Sequence, residues 1–372
     1  MCALTIGILL VTSASQVVRR QVLALADPDN TPWPATSPYS SNADPVNLLV
    51  NGNMDELSFY WEYPNHYVAG GWNRWWIDGT VLPEYDDTRT ARPHYDGAHA
   101  QVYFKWYGWN QAYIAGIYQV VENVTPCQPY RLTMMARNHT LDDVLPRARI
   151  GLDPIGTQLT SGPSSGAVAG LPGATVWSAE QTNLFVWEEL ATTAEPVGNK
   201  ITAILYAAPK VPPDTSRAFY TDTFWDGGKL VASEFPNGLL PAPQQWNNNN
   251  FISNLTYRTE GTSLVVEWDT TTPASTQVWY RFITDTSPIS PSITTYTYTV
   301  YFPLISKSIR PLLPTDLHTT LDTTPVTHHQ AGIPNLQNGD RISFGVLSRR
   351  PSGTTCVTEG TYPNKIIDIA LP

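Results

Sequence analysis

Hydrophobic and polar residues alternate over short stretches, and turn residues separate the stretches. Tyr130-Arg131-Leu132-Thr133-Met134-Met135-Ala136 alternates in this way, and so does Arg147-Ala148-Arg149-Ile150-Gly151-Leu152. A period of two puts alternate side chains on opposite faces of a sheet. Shorter β-prone runs lie at 98–104, 114–121, 185–190 and 200–206. A second series covers 263–268, 276–282, 341–347 and 366–369. Residues 47–53 predict a short strand running into a turn. Residues 160–174 are rich in Gly, Ser and Pro and predict a surface loop. There is no fixed repeat and no heptad. The pattern predicts an all-β chain of two successive β-sandwiches.

Composition narrows this picture. A chain of 372 residues suits two or three domains. With 42% hydrophobic and 15% charged residues, it does not match a disordered polymer. The 32 prolines and 24 glycines leave little room for long helices. The net charge of −10 and the lack of any dense Lys/Arg run argue against nucleic acid and favour neutral partners. Residues 27–45 read as a Pro/Ser-rich linker. Residues 1–11 are apolar but too short to span a bilayer, and Ala24-Leu25-Ala26 offers a small-x-small cleavage pattern. No basic residue precedes that run, and Arg19-Arg20 follow it. The expectation is a signal peptide over 1–26 and a secreted or cell-surface protein. Cys2 belongs to that segment. Cys127 and Cys356 fall one in each sandwich, either bridged in an oxidising compartment or left as separate thiols.

Several phrases in the first sandwich, 46–232, resemble one family in the same order. Asn47-Leu48-Leu49-Val50-Asn51-Gly52-Asn53-Met54-Asp55 is similar to the opening of family 4/9-like carbohydrate-binding modules. Met54 stands where that family prefers Phe, and Asp55 where it prefers Glu. Gly70-Gly71-Trp72, Asp96-Gly97-Ala98, Ile117-Tyr118-Gln119-Val120-Val121 and Thr125-Pro126-Cys127-Gln128-Pro129-Tyr130 follow, then Asp222-Thr223-Phe224-Trp225-Asp226. Cys127 replaces the usual Gly. The resemblance implies a galactose-binding-like jelly roll with a possible structural calcium. Asn51, Asn53, Asp55 and Asp226 supply oxygens that suit calcium, and they are also ordinary turn residues.

The aromatics form two sets. One is Trp72, Trp75 and Trp76. The other includes Trp106, Tyr107 and Trp109 and is followed by Asn110 and Gln111. Sugar rings present flat C–H faces on which Trp and Tyr stack, while nearby polar groups bond the hydroxyls. The same rings would also fill a sandwich core. Residues 106–111 read as a loop, because Gly and Asn interrupt the pattern, so exposure is expected there.

The second sandwich, 233–372, contains Leu264-Val265-Val266-Glu267-Trp268 and Thr276-Gln277-Val278-Trp279-Tyr280. These phrases resemble a fibronectin type III-like module with 284–326 inserted. Tyr298 to Ile305 is the inserted stretch most suited to an added strand. No phrase matches a nucleophile elbow, phosphate loop, zinc helix or dinucleotide fingerprint. Glu188 and Glu189 are adjacent, so a strand would turn them to opposite faces, and His328-His329 are split in the same way. The expected function is non-catalytic binding of polysaccharide or glycan. The alternatives are a surface or filament subunit contacting copies of itself, and an accessory region of an extracellular hydrolase.

Overall fold

The computed structural model describes residues 46–55, 60–62, 66–87, 93–109, 112–140, 144–161, 166–211, 218–246, 251–283, 317–361 and 366–370. The expected signal peptide, the linker and the 298–305 stretch lie outside these residues. So do Asn110, Gln111 and the side chains of Trp106, Tyr107 and Trp109. The described part is all-β, with one short 3-10 turn at Pro236–Gly238.

The first sheet contains β1 (Tyr60–Glu62), β2 (His66–Val68), β4 (Glu84–Asp87), β5 (Gln101–Trp109), β7 (Tyr130–Thr140), β11 (Glu188–Ala194) and β13 (Ala218–Ala232). Its order is β1-β2-β4-β5-β13-β7-β11. The second sheet contains β3 (Asn73–Ile77), β6 (Ala115–Glu122), β8 (Ala148–Asp153), β9 (Ala167–Val168), β10 (Val176–Trp177) and β12 (Lys200–Ala207). Its order is β10-β8-β12-β6-β3-β9. Tyr103, Leu132, Met134 and Trp225 from the first sheet meet Ile117, Ile150, Ala203 and Leu205 from the second in one core. In β7 burial follows the predicted alternation, with Leu132, Met134 and Ala136 turned inward.

Both faces of the second sheet are covered. Leu159, Val168, Leu171 and Trp177 pack over Trp75, Tyr118, Ile204 and Tyr206 on its outer side. The described part of 160–174 is therefore a cover that contributes the two-residue strand β9 rather than a free surface loop.

Residues 47–53 are a turn rather than a strand. Asn51 and Met54 adopt positive φ of 51° and 56°, which breaks extended pairing. Asn47 clasps this turn to β13: its Nδ2 donates to Gly228 O at 2.9 Å, and its Oδ1 accepts from Leu230 N at 2.9 Å. A Cβ on Gly52 would fall 2.3 Å from Gly228 O, so the backbones can approach only because Gly52 lacks one.

The second sandwich contains β14 (Gln245–Trp246), β15 (Ile252–Glu260), β16 (Ser263–Phe282), β17 (Leu317–His318), β18 (Asp322–Ile333), β19 (Arg341–Ser352), β20 (Thr355–Gly360) and β21 (Ile366–Asp368). Two stretches expected as separate strands, 263–268 and 276–282, form one strand, β16. Its first half pairs with β15 and β18, and its second half with β17 and β19. A register shift between Asp269 and Ala274 lets it serve both pairings. Leu264, Val266, Trp268, Val278, Phe344 and Val346 fill the core.

The two sandwiches are joined covalently. Cys127 and Cys356 form a disulfide across 229 positions. Beside it, the buried Arg349 donates from Nε to Glu195 Oε2 at 2.6 Å. Within the second sandwich, Phe235 and Leu240 pack on Trp279 and Leu347.

Candidate ligand-binding face

Trp72 and Trp75 belong to the interior. Trp72 is buried in the main core, with Nε1 donating to Asn51 O at 3.3 Å. Trp75 is wholly buried, its ring centroid 5.9 Å from that of Tyr206. Adjacent residues of β3 can both be buried because both faces of the second sheet are covered. Trp76 is half-buried under the Arg74 guanidinium, 5.6 Å from its ring centroid. These three rings therefore present no open platform. The 106–109 stretch is the end of strand β5 rather than a loop, since Gly108 and Trp109 pair with Phe219 and Ala218. The register shift between Phe219 and Thr221 accommodates it.

The candidate face is the outer side of the first sheet, where Val102, Phe104 and Phe224 are themselves buried. Tyr103 and Trp225 point into the core, so alternation turns Val102, Phe104 and Phe224 outward, where they form a separate cluster. Trp187 packs on that cluster. Outward residues of neighbouring strands stand opposite one another: Glu84 with Phe104, Phe104 with Asp222, and Asp222 with His139. His139 Nδ1 lies 4.0 Å from Asp222 Oδ2, and Asp222 is buried. Phe224 stands opposite Arg137.

Two turns supply aromatics to this face. Phe185 N donates to Asn138 O at 2.8 Å, which holds the 184–187 turn along β7. Phe185 takes a positive φ of 64°, is 49% exposed, and lies edge-on to His139 at 4.9 Å. Tyr95, 40% exposed, meets the Trp187 ring edge-on at 5.9 Å. The result is a buried hydrophobic cluster capped by Trp187, with exposed Tyr95 against Trp187 and exposed Phe185 against His139 on the same face. Flat rings beside hydrogen-bonding groups suit a ligand with apolar faces and hydroxyl edges. Tyr95 lies outside every predicted run. Phe185 and Trp187 fall in the run expected at 185–190, but the strand there, β11, begins only at Glu188, and the positive φ of Phe185 holds the preceding residues in a turn.

The four calcium candidates converge only in part. Asp226, wholly buried, accepts Tyr95 N at 2.7 Å and Asp96 N at 3.0 Å on Oδ2, and Gly227 N at 2.6 Å on Oδ1. Asp55 Oδ1 accepts Ala98 N at 2.6 Å and His99 N at 2.9 Å. Both carboxylates thus meet the same turn. Burial pushes the Asp226 carboxyl up to about 7, the three backbone N–H groups pull it down, and the Asp55 charge adds to the rise. Asn53 Nδ2 donates to Asp55 Oδ2, and Asn51 Nδ2 donates to Gly70 O. Among the described residues no group of three or more His, Cys, Asp or Glu converges to hold a metal.

Two other features turn out to be structural. Asn138, in an Asn-His-Thr sequence, is wholly buried and bonded to Gln181, so it offers no glycan attachment point in the folded chain. A cavity of about 350 Å³ lies where Pro126 meets Pro273, Pro325 and Pro351. Its Arg349 and Arg350 are paired with Glu195 and Glu359.

No family model matches the sequence, and no curated protein matches it either. Among solved structures, the chain is similar to a family 61 carbohydrate-binding module in complex with β-1,4-galactotriose. The identity is 12% over 50% of this chain and 99% of that one, with a TM-score of 0.31. It is similar to the tandem CBM22 modules of Paenibacillus barcinonensis Xyn10C, at 10% identity over 82% of this chain and 91% of that one, with a TM-score of 0.30. It is also similar to the enzymatically active domain of bacteriophage CBA120 tailspike protein 4. There the identity is 12%, over 50% of this chain and 21% of that one, with a TM-score of 0.31.

Proposed function

We propose that this chain is a secreted or cell-surface, non-catalytic protein that binds neutral polysaccharide on the outer face of its first sheet. The observation that carries this reading is the exposed Tyr95 ring set edge-on against Trp187, with exposed Phe185 edge-on to His139 on the same face, over the buried Val102, Phe104 and Phe224 of a rigid sheet. Exposed aromatics held by a scaffold mark interaction surfaces. The net charge of −10 favours an uncharged partner over an acidic one. The disulfide supports export, since such bonds persist in oxidising compartments. Affinity electrophoresis through soluble β-1,4-galactan, xylan and hydroxyethylcellulose tests the reading. Trp187→Ala is expected to weaken retardation about tenfold by removing a stacking surface. A wild-type protein retarded by none of the three polymers overturns it.

Calcium is part of the proposal. Asp55 and Asp226 would hold it, since they bring hard carboxylate oxygens to one turn, and a divalent cation would offset the cost of a buried Asp226 charge. Bound calcium stabilises the folded state by mass action. Adding calcium at neutral pH is expected to raise the melting midpoint and EDTA to reverse the rise, and an unmoved midpoint rejects the ion.

For the second sandwich we infer a fibronectin type III-like module. In support, β15, β16 and β18 pair on one side and β17, β16, β19 and β20 on the other. A second functional reading, assembly with copies of itself, is favoured by β15. This edge strand exposes every residue from Ser253 to Arg258, including Leu255 and Tyr257. Light scattering that gives a single-chain mass at high concentration removes that reading.

A further inference from the structure

The turn from Tyr95 to His99 is built on carboxylates. Tyr95 N and Asp96 N donate to Asp226 Oδ2. Gly97 N donates to Asp96 Oδ1 at 2.8 Å. Ala98 N and His99 N donate to Asp55 Oδ1. Each backbone N–H of this five-residue turn therefore ends on a carboxylate oxygen. Among the described residues no strand pairs with the turn, so these bonds do the work that a sheet ladder does elsewhere. The two outer supports come from distant parts of the chain. Asp226 stands on β13, within the face itself. Asp55 ends the turn that Asn47 clasps to β13.

The fit leaves the turn little freedom. Gly97 takes a φ of +66°, and a Cβ there would lie 1.5 Å from Asp55 Oδ2. A Cβ on Gly227, the residue after Asp226, would lie 3.2 Å from Tyr95 Cδ1. The Tyr95 ring is thus fixed at its backbone by Asp226 and closely bordered by Gly227, and it meets the Trp187 ring edge-on.

We propose that Asp226 and Asp55 are positioning residues for the aromatic face: they bind the 95–99 turn by its backbone and thereby set the Tyr95 ring against Trp187. A sugar-binding face works when its rings are held in place before the ligand arrives, because ordering them on binding costs affinity. Neither carboxylate needs to touch the glycan. The role rests on the reading of this face as a polysaccharide surface, but its structural half can be measured without any ligand.

The test uses the full chain with its disulfide intact. Trp residues are replaced by 5-fluorotryptophan, and the Trp187 fluorine line is assigned from Trp187→Phe. Tyr95→Ala then fixes where that line moves when the neighbouring ring is gone. Asp226→Asn and Asp55→Asn are each expected to move the line toward the Tyr95→Ala position in the free protein. A line that stays at the wild-type position in both overturns the proposal. On β-1,4-galactan and xylan, Asp226→Asn is expected to weaken binding about tenfold in the wild-type background and under about twofold in the Tyr95→Ala background. Equal losses in both backgrounds would mean that Asp226 does not act through Tyr95, and the proposal falls. If the wild-type chain binds neither polymer, the glycan reading fails while the fluorine measurement still decides the positioning. Should buried Asp226→Asn not fold, the more accessible Asp55→Asn decides both arms.

Discussion

A Cys127→Ser, Cys356→Ser protein is expected to lose about 5 kcal/mol of stability and to melt in two steps instead of one. The bond closes a loop of 229 positions. In the chain-entropy description, freeing a loop of that length enlarges the unfolded ensemble by about 5 kcal/mol at 25 °C. The local structure shows what else would loosen. Cys127 N donates to Pro196 O at 2.7 Å, which ties the cysteine to the turn between β11 and β12. Next to that turn, Glu195 accepts Arg349 of β19. One junction therefore carries a covalent link and a mostly buried ion pair. Noncovalent contacts between sandwiches of this size resemble a transient interface, so the sandwiches would uncouple without the bond. Calorimetry with and without reductant measures this. One transition with an unchanged midpoint after full reduction would show that the packing alone holds the junction.

That junction also shows the limit of what the residue pattern makes legible. The placing of Cys127 and Cys356, one in each sandwich, can be read from the chain, but their approach depends on how the two sandwiches dock, and no local pattern encodes that. The all-β class is legible because Tyr130 to Ala136 has one dry face and one wetter face, so its alternation survives into the burial of β7. In β3 the signal fails. Arg74 and Trp75 are both buried because Leu159, Val168, Leu171 and Trp177 cover the outer side of the second sheet. A Trp there looks the same in sequence whether it is covered or open. The loop expected at 106–111 fails for a related reason. Gly108 can lie in a strand where its partner is irregular, and the shift between Phe219 and Thr221 supplies that irregularity.

The candidate face was legible in kind but not in place. An excess of aromatics suggests stacking, yet Tyr95 sits in a turn that has no period to read, and Phe185 sits in a run that reads as strand but turns before β11 begins at Glu188. Their positions come from long-range bonds, Tyr95 N to Asp226 and Phe185 N to Asn138. The phrase ending in Asp226 does mark one of those anchors, although the resemblance marked it as a candidate calcium ligand and gave no sign of its bond to Tyr95.

Acid is expected to weaken the second sandwich through His329, by up to about 3 kcal/mol. This side chain is almost wholly buried on β18, and its ring is stacked on Trp268 with centroids 5.2 Å apart. Its protonation state follows from its neighbours. The Thr270 hydroxyl donates to Thr272 O at 2.8 Å, so at 2.8 Å from Nε2 it must accept a proton from the ring. Nδ1 then accepts from the Thr276 hydroxyl. Both ring nitrogens are satisfied only while the imidazole is neutral. Burial pushes its pKa down to about 4, and His328 adds to the fall, while Asp269 and Asp322 act against it. In the unfolded chain the ring titrates near the ordinary value of about 6.5. The folded value is depressed, so this contribution is fully present above about 6.5. It is lost as the pH falls toward about 4, because the unfolded chain takes the proton first. A fall of about 2.5 pKa units corresponds to about 3 kcal/mol. His329→Gln keeps a polar group between the two threonines and removes the titration. Urea midpoints taken from pH 7 down to pH 4.5 should therefore fall more steeply for the wild type than for the variant. Parallel curves would show that the His329 proton plays no part, leaving acid sensitivity to the carboxylates that both proteins share.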